Sequence, residues 1–494
     1  MAVSFNSIPS DLKVPLFYAE VDNSQANTAT SAMPRLIAGQ VNDDAVAAEI
    51  GKLTLVPSLS LAKSIGGVGS MLAEMYDTWR AIDPAGEVWC LPVKVTGTKA
   101  TGKVTVTGTA TAGGQINLYV AGQLVRATIA NGATAAATAT AIAAAVNAAG
   151  LSVSAVAAAG EVTLTCRWAG LSGNDIQLQL NRQGRANGEI TPAGLTVNIT
   201  ALAGGVGTPD LAAAIALLGD EPFEFLCGPW ADATSLDAWK SLMNDSSGRW
   251  SWSRQLYGHV YTGVRGTLGE LVALGDTRND AHVTVYGFEK SCPDPVWRQV
   301  AAYAARQAVY ISADPARPTQ TGELNGITPA PAGERFMLTE RQSLLSHGIA
   351  TAFAQSGAQR IERAVTTYQK NEYGQTDNSY LDSETLHQSA YIIRSLKGRI
   401  TSKYGRHKLA NDGTRFGAGQ AIVTPAVIRA ELIAGYFILE QMGIAENSDA
   451  FAKYLVVERS TTDPTRVNVL YPPDLVNQLR VFALQYQFRL QYQV

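Results

Sequence analysis

The chain ends in a segment, residues 484–494, in which apolar and polar side chains alternate without a break. Because successive side chains on a β-strand point to opposite faces, this pattern predicts a strand about 36 Å long with one wholly apolar face. An open edge on such a strand invites aggregation, so it must be covered. Two interpretations are open: a last strand in the sheet of its own domain, or a strand donated to another subunit. Its apolar residues are Leu484, Tyr486, Phe488, Leu490, Tyr492 and Val494.

The beginning of the chain, residues 1–33, is also predicted to be an extended arm. Pro9 and Pro15 prevent a regular helix, and the polar stretch 22–31 has the composition of a flexible connector. Two extended ends suggest a subunit that is linked to copies of itself. The apolar residues of the N-terminal arm are Phe5, Ile8, Leu12, Val14, Leu16 and Tyr18.

Length and charge limit the classes of protein to which the chain can belong. At 494 residues it is too long for one hydrophobic core, and a net charge of -3 gives no general attraction to nucleic acid. Its charged fraction of 16% is low, which suits a surface that is buried against neighbours. No apolar run reaches membrane-spanning length, and no signal peptide is recognisable. We therefore expect neither direct nucleic-acid binding nor membrane insertion.

The predicted fold class is a multidomain α/β protein. Residues 34–95 and 206–380 alternate between strands, such as 35–41, 88–93 and 283–287, and helices, such as 296–310. Such alternation predicts parallel strands covered by helices. Residues 381–483 are predicted to form a C-terminal α+β domain, in which a helix begins at Thr424 and Pro425 and ends near Gly443.

A third region separates the two parts of the α/β core. From about Thr96 to 205 the chain is rich in Thr, Ala and Gly, with period-two runs and an Ala-rich helix at 135–149. This composition predicts an inserted, outward-facing, mostly β domain. The pair Gly113–Gly114 within it is a signal for a hairpin turn.

The sequence offers no chemistry that would indicate an enzyme. The segment from Gly97 to Lys103 matches the start of a phosphate-binding loop, but Val104 replaces the magnesium-binding Ser or Thr and a strand follows where a helix is required. The five histidines and four cysteines have no metal-binding spacing, and no nucleophile motif is present. We therefore expect no catalytic residue, metal site or cofactor.

One cluster of basic residues has two interpretations. It is either the solvated face of a helix or a docking surface for an acidic partner. The cluster consists of Arg394, Lys397, Arg399, Lys403, Arg406 and Lys408.

Several segments along nearly the whole chain resemble the tail sheath proteins of contractile-tailed bacteriophages, in particular the Mu-like group. They are Ser4–Asp11 with Val14–Leu16, Trp89–Val93, Val423–Glu431, and the stretch from Asp463–Pro464 through Tyr471–Asp474. The resemblance implies a structural subunit that stacks as six-fold rings into a helical sheath around an inner tail tube. It also implies arms that add strands to neighbouring subunits, and a contraction that drives the tube through the host envelope for genome delivery.

The same resemblance implies the partners and the location. Besides copies of itself, the subunit is expected to contact the tail tube, the baseplate and the tail terminator, and to belong to the virion after assembly in the host cytoplasm. In the family the C-terminal domain faces the tube, which makes the basic cluster a candidate tube contact. Two alternatives are the sheath of a tailocin or other contractile injection system, and an α/β hydrolase-like enzyme.

Overall fold

The computed structural model of this chain describes residues 33–491. Its helices are α1 (Leu59–Gly66), α2 (Met71–Arg80), α3 (Ala135–Ala149), α4 (Leu211–Ala216), α5 (Ala233–Met243), α6 (Leu268–Asp276), α7 (Val296–Ala313), α8 (Leu338–Ser346), α9 (Ser383–Tyr404), α10 (Pro425–Gln441) and α11 (Ser448–Tyr454). Its strands are β1 (Arg35–Gln40), β2 (Thr54–Leu55), β3 (Val88–Val93), β4 (Lys99–Gly108), β5 (Gly114–Val120), β6 (Gln123–Ile129), β7 (Val153–Ala158), β8 (Glu161–Ala169), β9 (Leu178–Leu180), β10 (Leu195–Ala203), β11 (Phe225–Cys227), β12 (His259–Gly266), β13 (Val283–Glu289), β14 (Ile349–Gln355), β15 (Ala358–Arg363), β16 (Lys408–Leu409), β17 (Ile422–Val423), β18 (Ala445–Glu446), β19 (Val456–Arg459), β20 (Val467–Leu470) and β21 (Asp474–Leu475). The predicted α/β fold class is confirmed.

The centre of the molecule is an eight-stranded sheet in the order β15-β14-β13-β12-β11-β1-β3-β2. The six inner strands run parallel, and only the edge strands β2 and β15 are antiparallel to their neighbours. Every residue of β1 and β13 is buried, as expected for parallel strands that are covered on both faces. The parallel sheet inferred from the alternation of strands and helices is therefore present.

Helices α2 and α7 pack against each other and against this sheet. The periodicity of α2 places Met71, Leu72, Met75 and Trp79 in the core, and the Ser70 hydroxyl caps the helix by accepting a hydrogen bond from the Ala73 amide at 3.1 Å. The apolar face of α2 is thus its buried face.

The region from β4 to β10 forms two small antiparallel sheets, β10-β4-β8-β7 and β6-β5-β9. Thr98 and Val206 exchange backbone hydrogen bonds of 3.0 and 3.2 Å, so the two ends of this region lie side by side. The predicted hairpin at Gly113–Gly114 is wrong, because β4 and β5 belong to different sheets. The hairpin instead turns at Ala121 and Gly122, whose φ angles of 51° and 76° suit a two-residue turn.

The segment that resembles a phosphate-binding loop, residues 97–103, lies mostly in β4. Lys99–Gly108 is one strand, so no helix N-terminus follows Lys103. The segment therefore lacks the loop-to-helix geometry that a phosphate-binding loop requires.

The C-terminal region packs around α9 and α10 and has a hydrophobic cluster of its own, which includes Ile392, Leu432, Tyr436 and Phe451. Thr424 caps α10 and Pro425 begins it, as predicted, and Gly443 follows its end with φ +70°. Three two-stranded sheets, β16-β17, β18-β21 and β19-β20, complete the region. Between residues 33 and 491, no helix combines the length and apolar character needed to cross a membrane.

Candidate assembly surfaces

The C-terminal tail, residues 476–491, belongs to none of the sheets that the structure describes. The interpretation of residues 484–491 as a strand in the sheet of their own domain is therefore wrong. The apolar side chains that alternate along this tail face solvent: Leu484, Tyr486, Phe488 and Leu490 are 72%, 78%, 70% and 96% exposed. Tyr492 and Val494, which continue the pattern, lie outside the described residues. Among the residues that the structure describes, 33–491, these four apolar side chains therefore remain exposed to solvent.

The other predicted linking segment falls outside the structure. Phe5, Ile8, Leu12, Val14, Leu16 and Tyr18 precede residue 33, where the described part of the chain begins. The inter-subunit role of the N-terminal arm stays a prediction.

The structure divides the basic cluster into two groups. Three members contact acidic residues of the same subunit: Arg394 pairs with Glu224, and Arg399 and Lys403 lie 2.8 and 2.7 Å from the Glu431 carboxylate. Those hydrogen bonds lower the pKa of Glu431, since they favour its charged form.

The remaining three members, Lys397, Arg406 and Lys408, are exposed and have no ion pair among the residues that the structure describes. The solvated-face and docking interpretations both apply to this second group only. We call Lys397, Arg406 and Lys408 the exposed basic patch.

Helix α9 is tied to the central sheet by a buried polar network. His387 and Arg394, seven positions apart on one face of α9, both contact Glu224, which immediately precedes β11. The Nδ1 atom of His387 lies 2.5 Å from Glu224 Oε1, and its Nε2 atom lies 3.0 Å from the hydroxyl of Tyr261 on β12. Burial works against the charge on Glu224, but Arg394 and His387 outweigh it and lower the pKa of this carboxyl to about 2.

This network has the order of a catalytic triad, carboxylate to imidazole to hydroxyl, but it cannot act as one. Glu224, His387 and Tyr261 are each at most 2% exposed, so no substrate reaches them. Burial also raises the pKa of Tyr261 well above its usual value, which keeps the hydroxyl protonated. No local sequence signal indicates this network, because Glu224 and His387 are 163 positions apart. The network fixes α9 against the sheet.

A second polar group fills the crevice where open α/β sheets commonly bind ligands, next to the carboxyl ends of β1 and β11. Asp175, from the inserted region, accepts a hydrogen bond from the Val296 amide at the start of α7 (2.6 Å) and pairs with Arg265 (3.0 Å). Burial raises the pKa of Asp175 to about 6, although Arg265 and the Val296 amide act in the opposite direction. A cavity of about 210 Å³ remains beside it, lined mainly by apolar groups that include Met71, Trp230 and Trp297.

No group of His, Cys, Asp or Glu side chains between residues 33 and 491 is arranged to hold a metal ion. The four cysteines, Cys90, Cys166, Cys227 and Cys292, are buried and form no disulfide. Burial raises the pKa of the Cys90 thiol to about 12, so it stays protonated and unreactive.

Comparison with known proteins identifies the family. A model of the phage tail sheath protein central domain matches residues 204–367, and a model of the phage tail sheath C-terminal domain matches residues 375–489. The Mu-like prophage FluMu tail sheath protein of Haemophilus influenzae is 38% identical over 495 residues, which covers 99% of this chain and 100% of that protein. The chain belongs to the phage tail sheath protein family.

Solved structures of sheath proteins are similar to this one along most of their length. A sheath tail protein from Desulfitobacterium hafniense is 12% identical, with a TM-score of 0.49 and coverage of 94% of this chain and 97% of that chain. A sheath tail protein from Listeria innocua is also 12% identical, with a TM-score of 0.48 and coverage of 92% and 94%. The helical sheath of the anti-feeding prophage in its contracted state is 12% identical, with a TM-score of 0.49 and coverage of 96% and 99%.

The two family models divide this sheath protein in an informative way. The C-terminal model includes α9, α10 and most of the tail, so the exposed tail is part of the matched sheath domain. The two small sheets between β4 and β10 lie before the central match and outside both models. The resemblance to tail sheath proteins inferred from sequence is confirmed, and the family is one of structural proteins.

Proposed function

We propose that this protein is the repeating subunit of a contractile tail sheath that polymerises around an inner tail tube and contracts to drive that tube through the host cell envelope for genome delivery. The observation that carries the proposal is the exposed, alternating tail of a chain that belongs to the tail sheath family. In the sheath, six subunits form each ring, and the rings stack into a helix.

Strand donation explains how the tail gains stability on assembly. Burying one large apolar side chain contributes about 1.5–3 kcal/mol, and the tail exposes four of them between Leu484 and Leu490. Pairing with a strand of a neighbouring subunit would also give hydrogen-bond partners to backbone groups of residues 484–491, which lie in none of the sheets of the described chain. The N-terminal arm supplies the second link. Links of this kind survive rotation and sliding of the subunits, because the connecting segments act as hinges.

The domain division follows the sequence-based one: a core of 34–95 and 206–380, an outward-facing insert of 96–205, a C-terminal domain of 381–483 and a donated strand of 484–494. The paired ends of the insert at Thr98 and Val206 support it. So does the separate hydrophobic cluster around α10.

The partners in this proposal are other copies of the chain, the tail tube, the baseplate and the tail terminator, without nucleic acid or cofactor. Assembly takes place in the host cytoplasm, and the finished sheath belongs to the virion. The exposed basic patch is the candidate tube contact. Exposed cations at the edge of an interface mainly raise the rate of association with an acidic partner. The subunit has no catalytic role in this mechanism.

Negative-stain microscopy of the purified protein tests the proposal. The full chain should form regular tubes or helical polymers, and a variant that ends at Ala483 should remain soluble and unpolymerised. Tubes of normal order from the truncated protein would rule out donation of the C-terminal strand. Failure of the full chain to polymerise under any condition, with or without tube protein, would contradict the sheath function.

A further inference from the structure

The C-terminal tail is anchored at its root. Val476, Gln478 and Arg480 are half-buried, whereas every residue from Val481 to Gln491 is exposed. The side chain of Gln388, on α9, donates to the Val476 carbonyl at 3.3 Å, and the side chain of Gln320 donates to the Leu479 carbonyl at 3.1 Å. The subunit therefore holds the backbone of the tail as far as residue 480.

Arg480 is the charged component of this root. One of its terminal nitrogens lies 3.2 Å from the Asp382 carboxylate and 3.1 Å from the Glu384 carboxylate, and the other donates to the Gln320 side chain at 3.2 Å. The Arg480 side chain is only 12% exposed and that of Glu384 is fully buried. An exposed salt bridge contributes little to stability, but a buried carboxylate that loses its cation is costly. Arg480 is thus held far more firmly than a surface arginine.

The acceptors of Arg480 are themselves fixed to the rest of the subunit. Asp382, which precedes α9, makes two hydrogen bonds of 2.7 and 2.8 Å with Arg363 of the edge strand β15. Glu384, in the first turn of α9, accepts hydrogen bonds from the amide and hydroxyl of Thr319 at 3.1 and 2.7 Å. Two acidic residues at the start of one helix therefore connect the tail root to the central sheet and to a loop that follows α7.

We propose that Arg480 is a positioning residue for assembly: it fixes the point at which the donated tail leaves the subunit and transfers tension in the tail to α9 and β15. This inference rests on the proposed strand donation. With the root held, residues 481–491 span at most about 36 Å. If the contacts of Arg480 are lost, the free segment becomes residues 476–491, which can reach about 53 Å and can leave the subunit in many directions. A longer and less directed tether lowers the effective concentration of the strand at its acceptor, so polymerisation becomes weaker and its register less uniform.

The test compares Arg480→Gln with Arg459→Gln, a matched control at a half-buried arginine whose side chain donates to the Pro464 carbonyl and to the Asn411 side chain and has no ion pair within residues 33–491. Hydrogen exchange of the monomer should accelerate over residues 476–480 in R480Q alone. In sedimentation assays, R480Q should need an at least tenfold higher protein concentration to polymerise, and its tubes should be shorter and less regular. R480Q tubes of normal yield and order, with the root exchanging faster, would overturn the proposal.

A second variant keeps the test decisive if R480Q fails to fold. Gln320→Ala removes the contacts to Leu479 and Arg480 without leaving a buried charge unpaired, so it should fold and show a smaller shift in the same direction. If Q320A assembles normally although residues 476–480 exchange faster, the proposed role of the tail root in assembly is wrong. The variant that ends at Ala483 retains Arg480 and separates the two ideas. If the truncated protein polymerises, the proposed strand donation is wrong. If the truncated protein fails to assemble but R480Q assembles normally, only the proposed role of Arg480 is wrong.

Discussion

The Glu224 carboxylate and the His387 imidazole meet at 2.5 Å, in the interior, across 163 positions of the chain. Glu224 lies in the region that matches the central sheath domain, and His387 lies in the region that matches the C-terminal one. Arg394 pairs with the second oxygen of the same carboxylate. One buried acid therefore joins the two family domains, and α9 is placed on the central sheet by charge as well as by packing.

Replacing Glu224 with Gln should destabilise the protein strongly, because Arg394 and His387 would lose their common anion. Breaking a buried pair in this way costs about 3–5 kcal/mol, measurable by urea unfolding. Since the folded-state pKa of Glu224 is about 2, its contribution is present above pH 4.5 and is lost as the pH falls towards 2. Glu221→Gln, at a neighbouring exposed position, is the control. An E224Q protein as stable as E221Q would contradict this role.

Glu74 should produce the opposite pH dependence. It lies on α2 and accepts a 2.7 Å hydrogen bond from the Trp297 indole, and burial raises its pKa to about 7. The folded state holds this proton more tightly than the unfolded chain, so the stabilisation is full below pH 4.5 and is lost as the pH rises through 7. At about 1.4 kcal/mol per pH unit, the loss reaches about 3 kcal/mol.

Glu74→Gln keeps the hydrogen bond to Trp297 and removes the charge, so it should flatten the thermal stability profile between pH 5 and 8. Glu87, which accepts a 2.7 Å hydrogen bond from the Trp89 indole at the surface, offers a control of the same chemistry. If E74Q and E87Q change the profile equally, burial of Glu74 is not the cause.

The two faces of the tail should differ in their importance for assembly. Tyr486 and Phe488 lie on the apolar face and Gln485 and Gln487 on the polar face, and all four are exposed in the subunit. Changing either pair to Ser should leave the melting temperature of the monomer unchanged. Only the Tyr486/Phe488 variant should lose polymerisation, because burial of aromatic surface drives the docking. Equal effects of the two variants would indicate that side chains do not specify the strand register.

The exposed basic patch predicts a salt-sensitive contact. Reversal of Lys397, Arg406 and Lys408 to Glu should slow co-assembly with tube protein at low salt and leave the subunit folded, because none of the three has an ion pair within the described residues. Arg399→Glu, which loses its contact with Glu431, should instead lower the melting temperature. Co-assembly of the triple variant at the normal rate at both low and high salt would place the tube contact elsewhere.

Sequence periodicity predicted the elements that depend on local pattern. The bounds of α3 at 135–149 and the start of α10 at Thr424–Pro425 were predicted because apolar spacing and caps are encoded nearby. The contacts of Glu224 and Asp175 were not predictable, since each joins residues that only the tertiary fold brings together. The tail shows what local pattern leaves open: its alternation predicted an apolar strand face, but not that this face would be exposed in the described part of the chain.

The paired ends of the inserted region determine which segments could replace it. The chain leaves at Thr98 and returns beside it at Val206, so the two ends of any replacement segment must lie side by side. A graft at this position must meet two demands: termini one hydrogen-bonded pair apart, and a group that takes the place of Asp175 beside Arg265 and Val296. A bare Gly/Ser linker meets only the first. Exchange of this region for a foreign domain would therefore work best if the linker retained the turn that carries Asp175.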